Sequence, residues 1–124
     1  MKRIVILIED DNFLREILHE KLLSAGYDVT TLEDGQHALE TIVEKMPDVV
    51  LLDIMMPNKD GFEVLAELKN EVRTGNIPVI VLSNLGQQED IHRAKDAGAT
   101  EFLTKANFMP EEIVAKIEEL LAGK

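Results

Sequence analysis

Apolar and polar positions follow two alternating periods along this chain. Residues 3–8, 28–32, 48–52, 78–82 and 100–103 read as strands, and the first, third and fourth are almost unbroken apolar runs. Such runs suit parallel strands covered on both faces. Between them, apolar residues recur at helical spacing. Leu14, Ile17, Leu18 and Leu22 share one stripe, ended by Gly26. Ala38, Leu39, Ile42, Val43 and Met46 share a second, stopped by Pro47. Phe62, Leu65, Leu68 and Val72 make a third, closed by Gly75. Ile91 and the run 94–97 mark a shorter, weaker helix before Gly98. Ile113, Val114, Ile117, Leu120 and Leu121 form the last stripe, with Pro110 in its first turn, where a missing N–H costs nothing.

Five strand–helix units in succession imply an α/β fold: an open parallel sheet with helices on both faces. The whole length, 1–124, reads as one domain, with no room for a second. Composition sharpens this in three ways. The chain is 45% hydrophobic but has four Phe, one Tyr and no Trp, so its core must be aliphatic. A formal charge of −11 repels phosphate backbones and anionic lipid, which argues against direct nucleic-acid or membrane binding. There is no cysteine, hence no disulfide, zinc thiolate or thiol nucleophile. The apolar run at 4–8 is too short for a membrane span or a leader core, and the expectation is a soluble cytoplasmic protein.

In an open α/β sheet, ligands sit beyond the carboxyl ends of the strands. Glu9, Asp10 and Asp11 follow the first strand, Asp53 the third, Ser83 and Asn84 the fourth, and Thr104 and Lys105 the fifth. Taken singly, these are common capping and turn residues, and Asp11 or Asn12 is placed to cap the first helix. Together they bring acids, a hydroxyl and an amine to one edge of the sheet. Clustered carboxylates repel one another unless a cation lies among them. Oxygen donors of this kind suit Mg²⁺, with a lysine and a hydroxyl completing a phosphate-sized site. No G-x-G-x-x-G or P-loop pattern is present, and the histidines at 19, 37 and 92 are scattered on polar helical positions.

With these residues in register, and with D-x-x-M-P-x-x-D-G running from Asp53 to Gly61, the chain resembles the receiver domain of two-component response regulators over essentially its whole length. The resemblance implies a flavodoxin-like, doubly wound (βα)5 sheet of order 2-1-3-4-5. It implies Asp53 as phosphate acceptor, with Ser83 and Lys105 as the other catalytic groups. Mg²⁺ would be held by Asp10 directly, by Glu9 mainly through water, by Asp53, and by the backbone carbonyl of Met55. Ser83 and Phe102 would be the switch residues. The implied function is transfer of a phosphoryl group from a phosphohistidine on a histidine kinase or phosphotransfer protein to Asp53. Docking would use Leu14 and Ile17 of the first helix. The output would be altered binding of a downstream protein, or of a second copy, on the face made by the fourth helix, fifth strand and fifth helix. Such a domain acts as a switch rather than as an enzyme.

Four positions depart from the family pattern or refine it. Ala106 stands where proline usually follows the lysine, so the Lys105–Ala106 bond is expected to be trans and the loop at 107–109 rearranged. Asn84 is larger than the alanine or glycine usual after the hydroxyl residue. Met55 and Leu85 occupy the positions that govern water access and can exclude water but not orient it, which predicts a long-lived acyl phosphate. The alternative is a receiver-like binding module that works without phosphorylation. A Mg²⁺-dependent phosphohydrolase of the haloacid-dehalogenase type wants an acid two residues after its nucleophile, where this chain has Met55.

Overall fold

A computed structural model of the chain describes residues 2–84 and 88–123. Five parallel strands, β1 (Ile4–Ile8), β2 (Asp28–Leu32), β3 (Val49–Asp53), β4 (Val79–Ser83) and β5 (Glu101–Thr104), form one sheet in the order β2-β1-β3-β4-β5. The helices are α1 (Asn12–Ser24), α2 (Ala38–Lys45), α3 (Gly61–Asn70), α4 (Gln88–Asp96) and α5 (Pro110–Ala122). This is the flavodoxin-like order, and its reversal between β1 and β3 opens a crevice at the strands' carboxyl ends.

Alternation along the strands divides the core in two. Ile6, Ile8, Val50, Leu52, Val79 and Val81 face one side and pack on α2, α3 and Ala94 of α4. Val5, Leu7, Val49, Leu51, Ile80 and Leu82 face the other and pack on α1 and α5. The central strands β3 and β4 are buried at every position, whereas the edge strands β2 and β5 are largely half-buried. The unbroken apolar runs therefore mark the centre of the sheet.

The structure moves several boundaries. Val72 does not extend the stripe of α3: that helix ends at Asn70 and Val72 is exposed. Buried Thr74 folds back under the helix end, donating its hydroxyl to the Leu68 carbonyl at 2.7 Å, while Lys69 Nζ donates to the carbonyls of Gly75 and Ile77. The Thr74 hydroxyl thus satisfies a helix-terminal acceptor that further helix would occupy, and Lys69 ties the segment leading to β4 back to the helix end. Met46 likewise leaves its stripe, taking the left-handed C-cap of α2 at φ 46° before Pro47. Strands β3, β4 and β5 each end one residue later than the apolar pattern indicates. Asp53, Ser83 and Thr104 are thus the last ladder positions of their strands, with Asp53 opposite Leu82 and Ser83 opposite Thr104.

Candidate functional site

The loop after β1 is built around two acids with different duties. Asp11 caps α1, its Oδ1 accepting from the N–H groups of Phe13 at 2.9 Å and Leu14 at 3.1 Å. That leaves Glu9 and Asp10 to face the sheet edge. Glu9 is fully buried and Asp53 nearly so, while Asp10 is exposed. Ligand oxygens of these three carboxylates all lie within 4.8 Å of one another. Lys105 follows β5 and reaches across: its Nζ is 3.1 Å from Glu9 Oε2 and 3.2 Å from Asp53 Oδ2. It also lies 3.0 Å from Glu9 Oε1, but without hydrogen-bond alignment, so that buried oxygen has an ionic neighbour and no donor.

Burial pushes the Asp53 carboxyl up to about 8; the charge of Glu9 and hydrogen bonds to Asp10 and Glu9 add to the rise, and Lys105 opposes it. Burial would lower the Lys105 ammonium, but its bonds and attraction to Glu9 and Asp53 outweigh that and hold it above the ordinary value. With Asp53 ionised, three carboxylates against one ammonium leave a surplus matching one divalent cation. The donor set is all oxygen, and Glu9 Oε1 is a buried acceptor lacking a donor, so these residues fit a hard cation.

The remaining parts lie around this cluster. Met55 donates its backbone N–H to Asp53 Oδ1 at 3.2 Å, and its side chain is 57% exposed. Ser83 is fully buried at the end of β4. Phe102 is half-buried, opposite Val81 in the ladder, and packs on the α3 side of the core.

A family model described as the response regulator receiver domain matches residues 5–118. The chain belongs to that family. It is a phosphorylation-activated receiver domain of two-component signalling. The DNA-binding dual master transcriptional regulator RpaA of Synechocystis sp. is 38% identical over 94% of this chain and 48% of that protein. The phosphate regulon transcriptional regulatory protein PhoB of Escherichia coli is 35% identical over 98% of this chain and 52% of that protein. The chain thus spans about half the length of the curated relatives it matches. The solved chemotaxis protein CheY4 of Vibrio cholerae is 28% identical, with a TM-score of 0.89 over 96% of this chain and 98% of that one.

Against the receiver pattern, the departures are local. The Lys105–Ala106 bond is trans and opens a 3-10 turn, Lys105–Asn107. Leu85 lies outside the described residues. No described helix is long and apolar enough to cross a membrane. Leu14 and Ile17, the positions expected to dock the phosphodonor, are half-buried, and Leu14 packs on the α1–α5 side of the core. Phe13, beside Leu14 in the first turn of α1, is 73% exposed, and Met109, before α5, is 61% exposed. Sequence periodicity passes over both because it selects residues on the buried stripe. It also passes over Arg15, whose guanidinium turns back from α1 to the carbonyl of Glu9.

Proposed function

We propose that Asp53 is the phosphoryl acceptor of this receiver domain, with a phosphohistidine of a histidine kinase or phosphotransfer protein as donor. A carboxylate oxygen of Asp53 attacks phosphorus, the phosphorus–nitrogen bond breaks, and the imidazole leaves to take up a proton. Glu9, Asp10, Asp53 and the Met55 carbonyl are the groups that would hold Mg²⁺. When bound, it supplies positive charge to the equatorial oxygens of the transferring group. Lys105 neutralises the opposite side. The observation that carries the reading is the burial of Asp53 between Lys105 and two acids at the end of a central strand.

The added phosphate brings about −1.5 to −2 charge at pH 7. Ser83 donates its hydroxyl to a phosphate oxygen and draws its loop toward Asp53. Phe102 turns inward into the space released. The face of α4, β5 and α5 then favours its active arrangement, and a downstream protein or a second copy binds there. One phosphoryl group per chain sets the state, so the output is binding and not a released product. Leu14 and Ile17, flanked by exposed Phe13, are the docking surface for the donor.

Incubation with a small phosphodonor and Mg²⁺ should add the mass of one phosphoryl group, and Asp53→Ala should abolish the gain. An unmodified wild-type chain would instead favour the phosphorylation-independent binding module. Shielding by Met55 and Leu85 sets the lifetime of the acyl phosphate. Met55→Asn combined with Leu85→Glu is expected to speed phosphate release about a hundredfold, the lower end of what a positioned acid–base group contributes. An unchanged release rate would remove the shielding role.

A further inference from the structure

The peptide unit joining Glu9 to Asp10 carries the metal-facing end of the β1 loop, and its orientation is set from outside the loop. Arg15 Nη1 donates to the Glu9 carbonyl at 2.8 Å. The same guanidinium donates through Nη2 to Asn12 Oδ1 and lies 3.7 Å from Glu33 Oε1 in the loop after β2. The Arg15 side chain is only 15% exposed, whereas that of Glu33 is 81% exposed. The guanidinium is therefore held by α1 and the β1 loop, and Glu33 contributes little.

We propose that Arg15 is a positioning residue for the divalent-cation site: by fixing the Glu9 carbonyl, it fixes the peptide plane that aims Asp10. The peptide is planar, so pinning its oxygen restricts the backbone torsions on both sides, ψ of Glu9 and φ of Asp10. The remaining anchors of Glu9 agree with this. Its N–H donates to the Leu32 carbonyl at 3.0 Å, and its Oε2 accepts from the Asp11 N–H at 3.1 Å as well as from Lys105. Glu9 is thus held at its amide, its carboxylate and, through Arg15, its carbonyl. Asp10 is exposed and gains its direction from the backbone before it. Arginine suits this task because its rigid planar fork holds two acceptors in a fixed relative geometry, whereas the rotatable donors of a lysine ammonium on a flexible stem do not. Arg15 touches neither the phosphoryl group nor the cation.

The inference rests on the acidic cluster holding Mg²⁺, and calorimetric titration of the intact chain tests the two separately. Wild-type protein must first bind Mg²⁺; no binding would defeat the site itself. Given binding, Arg15→Ala should weaken Mg²⁺ affinity about tenfold, the scale seen when a group orienting a metal ligand is removed. Arg15→Lys, which keeps the charge and safeguards folding, should recover less than half of that loss. Glu33→Gln should bind Mg²⁺ as wild type does. In the metal-free protein, amide exchange at Asp11 should accelerate in both Arg15 variants, while the melting temperature reports any general loss of stability. Unchanged Mg²⁺ affinity in Arg15→Ala, whatever its melting temperature, overturns the proposal. So does full recovery by Arg15→Lys, which would assign the effect to charge alone.

Discussion

Asp53→Asn is expected to stabilise the metal-free domain at pH 8 by about 2–3 kcal/mol, raising its melting temperature by roughly 10 °C. The cause is the carboxyl pushed up to about 8 by burial and by Glu9. In the unfolded chain the same group titrates near the ordinary aspartate value. Between those two values the folded state holds a proton that the unfolded state has released, so wild-type stability falls as pH rises. The contribution is fully present below about pH 4, declines across the interval and is gone above about pH 8. An asparagine carries no such slope. Its Oδ1 still accepts the Met55 N–H, whereas its contact with Lys105 is weaker, which limits the gain. Thermal melts of both proteins from pH 4 to 9 should therefore diverge with rising pH and run parallel above 8. Parallel profiles throughout would show that Asp53 takes up no proton on folding. Mg²⁺ should raise the melting temperature of the wild type and do so less for the variant, since ligand binding to the folded state alone stabilises it.

That destabilisation is the energetic mark of a site arranged for a cation and a phosphoryl group. An aliphatic residue at position 53 would extend the apolar strand without strain. The chain instead ends its central strand on a buried acid beside a second, fully buried one. Removing Lys105 would leave both without their shared counter-ion. The same low-dielectric surroundings that raise the Asp53 carboxyl strengthen the pull of Lys105 and of any bound cation on the transferring group.

The sheet was legible because apolar runs reflect burial directly: the three unbroken runs proved to be the three central strands. The helix ends were less so. Val72 fits the apolar period of α3, yet Thr74 takes the Leu68 carbonyl at the helix end, an interaction that periodicity does not encode. The acids and lysine of the site could be gathered from topology, since each follows a strand. Dividing Glu9, Asp10 and Asp11 needed the family register, and the capping bonds of Asp11 give that division its physical basis. Arg15 and Phe13 stayed hidden for opposite reasons: one turns back to a main-chain oxygen, and the other points into solvent.

Gly61→Ala joins fold and site in one substitution and is expected to cost about 3 kcal/mol in urea unfolding, on the scale of a steric insertion that cannot relax. Gly61 opens α3, with Asp60 as its cap accepting from Glu63, and its own N–H donates to the Ile54 carbonyl at 2.8 Å. A Cβ there would stand 2.3 Å from the Asp53 carbonyl oxygen and 2.6 Å from Ile54 Cα. Both are backbone atoms, so no rotamer change relieves the overlap. Alanine is a better helix former than glycine by at most about 1 kcal/mol, which the clash outweighs. Either α3 shifts away from the sheet or the end of β3 moves, and the second displaces the Asp53 carboxylate from Lys105. Mg²⁺ affinity and phosphoryl uptake should therefore fall together with stability. Gly75→Ala is the contrasting case: its Cβ would meet the Glu71 and Lys69 carbonyl oxygens at 3.4 Å, an ordinary contact, and its effect should stay within about 0.5 kcal/mol. Equal effects at the two glycines would mean that the approach of α3 to the acceptor strand is not what fixes Asp53.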